Sequence, residues 1–142
     1  MRQSIHELGL GAHLVELDDE VARTAYAELE RRFATRTGAR WIWEHLRPPD
    51  VSRRFEDDKA FERLALIVPS ASERLLFFPG SDDDTECAFE GTIASIAAVL
   101  ADCPGFEYLV APFDLSWLLC ENHHGVLIAV GEPVAGRLRA LG

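Results

Sequence analysis

The sequence predicts an α+β fold: a mostly antiparallel sheet of about five to six strands, three to four helices, and a C-terminal three-strand meander. Three observations carry this expectation. Helical and strand-like apolar patterns interleave without settling into repeated βαβ units. The last three strand-like runs are joined by connections of hairpin length, which favours antiparallel pairing. The chain has 142 residues, 48% apolar and 27% charged. A chain of that size forms one compact domain over residues 1–142 and buries roughly 68–70% of its unfolded surface without help from disulfides or metal.

The elements follow in order. Residues 1–16 mix Gly9, Gly11 and short apolar pieces, and read as irregular chain with a short helical turn. Asp18 to Phe33 reads as a helix. Acids (Asp18, Asp19, Glu20) open it and bases (Arg31, Arg32) close it, each at the pole the helix dipole favours. Val21, Ala22, Ala25, Tyr26, Leu29 and Phe33 form its apolar stripe, and Gly38 follows as a stop. Arg40 to Leu46 reads as a strand with Trp41 and Trp43 on one face and Ile42 on the other, ended by Pro48-Pro49. Asp57 to Val68 reads as a second helix closed by Pro69. Arg74 to Phe78 is a short strand ending at Pro79-Gly80, and Thr85 to Phe89 another. Thr92 caps a third helix, with Ile93, Ile96, Ala97 and Leu100 at i, i+3, i+4 and i+7. Phe106–Ala111, Trp117–Glu121 and Val126–Val130 form the meander. Glu132-Pro133 opens a last short helix whose Val134, Leu138 and Leu141 pack back on the sheet.

Composition excludes several function classes. The net charge is -10, which makes nucleic acid and anionic membrane poor partners. The N-terminus lacks the apolar stretch of a secretory signal, and the longest nearly apolar run, Thr92 to Ala101, is too short to span a bilayer. Cys87, Cys103 and Cys120 are odd in number and widely spaced, so they make neither a disulfide framework nor a zinc ribbon. These features place the protein in the reducing cytoplasm. Thirteen arginines against one lysine, Lys59, suggest a GC-rich bacterial genome.

The charge is unevenly distributed. Residues 1–71 hold eleven Lys/Arg and thirteen Asp/Glu, a net of -2, while residues 72–142 hold three Arg and eleven Asp/Glu, a net of -8. Between Arg74 and Arg137 lie ten carboxylates and neither Lys nor Arg. Such a field either serves solubility or accelerates association with a basic partner.

The densest group of reactive side chains is Cys120-Glu121-Asn122-His123-His124 at one hairpin end. Strand alternation puts Leu118 and Cys120 on one face and Trp117, Leu119 and Glu121 on the other, so Cys120 reads as a small core residue rather than a nucleophile. Asn122 and Gly125 supply turn geometry. His123 and His124 sit at no recognised zinc spacing, so no metal and no cofactor is expected. Asp82, Asp83, Asp84 and Glu86 lack the ligand alternation of an EF-hand and read as a solvated acidic loop. Trp41 and Trp43 form either a core face or, with Trp117, an aromatic ligand pocket. There is no phosphate loop, nucleophile elbow or zinc-protease motif.

Gly105-Phe106-Glu107-Tyr108, Trp117-Leu118-Leu119-Cys120-Glu121-Asn122-His123-His124 and Val126 through Pro133 resemble a family of small single-domain bacterial proteins of unknown function. Phe89-Glu90-Gly91 and Trp41-Ile42-Trp43-Glu44 fit the same pattern, so the resemblance covers about two thirds of the chain. It implies no established activity. In size, charge and architecture the chain also resembles the immunity proteins that are paired with bacterial toxins. The expectation is therefore a non-enzymatic acidic protein that binds a basic protein partner, such as a toxin. Asp82, Asp83, Asp84, Glu86, Glu121, His123 and His124 would form the contact surface. The alternative is a small enzyme or a metal- or ligand-binding module built on the Glu121–His124 hairpin.

Overall fold

The computed structural model describes residues 1–38, 42–80, 87–103 and 107–141. The helices are α1 (Arg2–Glu7), α2 (Asp19–Phe33), α3 (Leu64–Ile67), α4 (Ile93–Asp102) and α5 (Val134–Ala140). The strands are β1 (Leu14–Glu16), β2 (Asp50–Arg54), β3 (Leu75–Pro79), β4 (Phe89–Gly91), β5 (Tyr108–Pro112), β6 (Leu118–Glu121) and β7 (Val126–Val130). They form one sheet in the order β1-β4-β3-β5-β6-β7-β2, and every neighbouring pair is antiparallel. The fold is α+β, with β5-β6-β7 as the C-terminal meander.

Strand alternation divides the core into two layers. Leu75, Phe77, Tyr108, Val110, Leu119, Leu127 and Ala129 point to one face, where they meet Leu64, Ile67, Ile96, Val99, Val134 and Leu138 of α3, α4 and α5. Their neighbours Leu76, Phe78, Leu109, Ala111, Leu118, Cys120 and Ile128 point to the other face, where they meet Ala22, Leu29 and Phe33 of α2. The central strands are apolar on both sides because both sides are covered. Each fully buried Leu or Phe stabilises the fold by roughly 1.5–3 kcal/mol in apolar transfer. Among the described residues, no helix is long and apolar enough to cross a membrane.

The structure departs from the sequence reading in several places. The strand expected over Arg40–Leu46 is absent from its described part: Ile42–Glu44 form a 3-10 turn, and Leu46 makes only an isolated bridge to Ala34. Ile42 is pulled into the core beneath α2, which curls the chain and breaks strand alternation. The helix expected over Asp57–Val68 starts late. Asp57 accepts the Lys59 N–H and Asp58 takes a φ of 55°, so a turn precedes a 3-10 helix, Ala60–Arg63, and then α3. Two edge strands, β1 and β2, escaped the pattern. Neither carries a regular apolar alternation, because an edge strand half open to solvent needs little of it. The strand expected over Thr85–Phe89 begins at Phe89; residues 85 and 86 lie outside the described residues. Thr92 does occupy the N-cap of α4, but its hydroxyl meets Ser95 Oγ at 3.0 Å and makes no capping bond.

Candidate functional site

The β6–β7 connection is built by its own polar groups. Asn122 is buried, and its Oδ1 accepts the N–H groups of His124 (2.9 Å) and Val126 (3.1 Å). Gly125 takes a φ of 75° and donates its N–H to the Asn122 carbonyl at 3.0 Å. A residue with a Cβ is strained at that φ, so the glycine is what lets the turn close. This tight turn sets His123 and His124 side by side, with ring centroids 4.0 Å apart.

Two further elements complete the site. The residue before β5 is Glu107, on the same sheet face as Cys120 and α2. The 3-10 turn after α2 delivers Trp43 to that spot. The Trp43 indole N–H donates to Glu107 Oε2 in a short hydrogen bond. The other carboxylate oxygen, Oε1, lies 3.4 Å from His123 Nδ1. Trp43 meets both imidazoles edge-on, at 5.2 Å from His123 and 6.1 Å from His124. The result is a carboxylate with the rings of Trp43 and His123 against it and His124 packed on both rings. It remains open to solvent: the Glu107 side chain is 26% exposed and that of His123 41%.

Glu121 points to the opposite face of the same sheet end. It sits across the β5–β6 ladder from Tyr108 and interacts with its phenol. Burial raises the Glu121 carboxyl above its ordinary range; the Tyr108 phenol pulls it back, and the nearby charge of Asp58 raises it further. Burial, then the charge of Glu121, pushes the Tyr108 phenol well above its usual value. Cys120 is fully enclosed by the core beneath α2. Burial first, then Glu107 and Glu121, pushes its thiol far up, so it stays protonated and is no nucleophile.

Of the residues singled out in the sequence, His123, His124 and Trp43 come together here. Glu121 is adjacent but faces the other layer. Trp117 does not join them: it is 2% exposed and packs in the core layer opposite Trp43, so the expected pocket shared by Trp43 and Trp117 does not form. Trp41, Asp82, Asp83, Asp84 and Glu86 lie outside the described residues. Gly80 donates its N–H to the Glu107 carbonyl at 2.7 Å. Glu107 itself was missed as a site residue. The signal was present, since pairing Tyr108 with Glu121 puts Glu107 next to the Asn122–His123 turn. Among the described residues, no three His, Cys, Asp or Glu side chains converge as a metal site.

A second surface feature lies elsewhere. An open groove of about 800 Å³ runs between α2 and the β5–β6 loop, lined in part by Val21, Ala25, Phe113 and Leu115. Val21 and Phe113 are half exposed, and Leu115 takes a φ of 54°.

An antiparallel seven-strand sheet covered on both faces among the described residues, with a polar and aromatic cluster at one end of its meander, defines an α+β domain. The chain belongs to a family described as "Family of unknown function (DUF6756)", which matches residues 5–142. No curated protein and no solved structure matches the chain.

Proposed function

We propose that this is a non-enzymatic, cytoplasmic bacterial protein that binds a basic protein partner, in the manner of an immunity protein or antitoxin. One observation carries the reading: ten carboxylates and neither Lys nor Arg lie between Arg74 and Arg137. The charge imbalance is therefore concentrated in the half of the chain that holds the meander and its hairpin end. A field of this kind steers a basic surface and rejects nucleic acid and anionic membrane. Toxins that bind phosphates present such basic surfaces. Asp82, Asp83, Asp84 and Glu86, with Glu121, His123 and His124, are the proposed contacts.

Co-expression with the product of the neighbouring reading frame tests the reading. The expected outcome is rescue of growth and a stoichiometric complex that weakens as salt is raised. A harmless neighbour that forms no complex overturns it. Reversing the charge at Asp82, Asp83 and Asp84 should slow association and flatten its salt dependence. An unchanged on-rate removes the steering argument.

A further inference from the structure

We propose that the Trp43–Glu107–His123–His124 cluster is an arginine site, which takes the guanidinium group of a partner's side chain. The inference rests on the binding reading above and names the chemistry of its contact point.

Glu107 is the centre of the site. Its Oε2 accepts from the Trp43 indole N–H, and its Oε1 lies 3.4 Å from His123 Nδ1. A carboxylate offers about four lone-pair sites. The indole takes one of them, which leaves a site on each oxygen. A guanidinium presents two parallel N–H groups in a rigid fork, and that pair of sites is its complement. Among the described residues, Glu107 forms no ion pair with Lys or Arg, so an incoming cation meets a carboxylate with no such group already on it.

The rings select among cations. Trp43 and His123 flank the carboxylate and His124 packs against both rings, with centroids 4.0 to 6.1 Å from one another. Planar, weakly hydrated guanidinium stacks on such rings, whereas ammonium is a compact, strongly hydrated point charge. A metal ion is a poor fit to a single carboxylate with no third converging donor among the described residues. An anionic ligand would meet the Glu107 carboxylate, which pairs with no Lys or Arg among the described residues. The side chains are pre-set by the Asn122 turn and by the indole hydrogen bond, so little ordering is needed on binding.

The test is a titration of the protein with arginine amide, and separately with lysine amide. It is followed by the Trp43 indole N–H and the His123 and His124 ring resonances. Arginine amide should shift these signals saturably at millimolar concentration, and Glu107→Gln should weaken that binding by about tenfold or more. His124→Ala, which removes an exposed ring and leaves Glu107 in place, should weaken it by about threefold or more. No localised shift, equal binding by Glu107→Gln, or equal binding of lysine amide overturns the arginine site. These outcomes are independent of the partner. If arginine amide binds through Glu107 while the neighbour-encoded protein forms no complex, the site stands and the immunity reading falls. If that complex forms but Glu107→Gln binds arginine amide and the partner as wild type does, the site falls and the binding reading stands.

Discussion

Asn122 holds the hairpin end with one side-chain oxygen shared between two backbone N–H groups, and it is buried while doing so. Asn122→Ala orphans both donors and should cost about 1–3 kcal/mol, read as a lower urea midpoint at unchanged m-value. The rings of His123 and His124 should lose their close, tilted packing in the same variant. Cys120 and Glu121 are neighbours with different chemistry. The buried Cys120 thiol should resist iodoacetamide in the native protein, while the half-buried Cys87 and Cys103 react; peptide mapping by mass spectrometry reads this directly. Glu121 has a folded-state pKa raised chiefly by burial, so the native state holds its proton more tightly than the unfolded chain does. Stability contributed by this group therefore falls as pH rises from the unfolded value through the folded one. Glu121→Gln should raise the melting temperature at pH 7, and the gain should vanish as pH falls below the ordinary carboxylate value near 4.5. A gain that persists unchanged at pH 3.5, about one unit below that value, would assign the effect to packing instead.

The elements differ in how firmly they are held. The central strands β3, β5, β6 and β7 are buried on both faces, while β1 is a three-residue edge that depends on one glycine. A Cβ on Gly91 would sit 2.5 Å from the His13 carbonyl oxygen and 2.7 Å from Leu14 Cδ1. Gly91→Ala must therefore push β1 off β4. The expected cost is about 1–3 kcal/mol, with loss of hydrogen-exchange protection confined to the β1–β4 edge. Protection lost across β5–β7 as well would show that the edge and the meander unfold together. At the other end, α5 is tied down by Val134 and Leu138 in the core and by Arg137, whose Nη1 donates to the Val68 carbonyl at 2.8 Å. The 3-10 turn at Ile42–Glu44 positions the cluster: buried Ile42 anchors it, and the next residue, Trp43, reaches Glu107.

At the scale of the whole molecule, a net charge of -10 on 142 residues repels itself. Screening should relieve that repulsion, so the melting temperature should rise between about 0.01 M and 0.3 M NaCl, where the Debye length shrinks from about 30 Å to below 8 Å. A melting temperature that falls over this range would mean that the ion pairs outweigh the repulsion. Exposed pairs such as Arg2–Glu16 and Arg31–Glu28 contribute little each, which is why the rise is expected. In the proposed reading, the same field would draw a basic partner toward the acidic half.

What the sequence by itself determined was the set of local decisions. The dipole-matched ends of α2, the i, i+3, i+4 stripe of α4, the three runs of the meander and the face of Cys120 all follow from periods within a few residues. So does the Asn122–Gly125 turn, because its chemistry is contained in the turn itself. Only the tertiary structure decided the rest. The edges β1 and β2 exist because β4 and β7 offered open hydrogen-bonding groups, not because their own residues alternate. Trp43 left its expected strand because Ile42 found the core beneath α2, and Trp117 went to the opposite layer because the sheet is covered on both sides. Trp43 and Glu107, 64 residues apart in the chain, meet through a hydrogen bond that neither local segment announces. Propensity and turn chemistry act over a few residues, whereas a site assembled from three separate connections is set by how the layers pack.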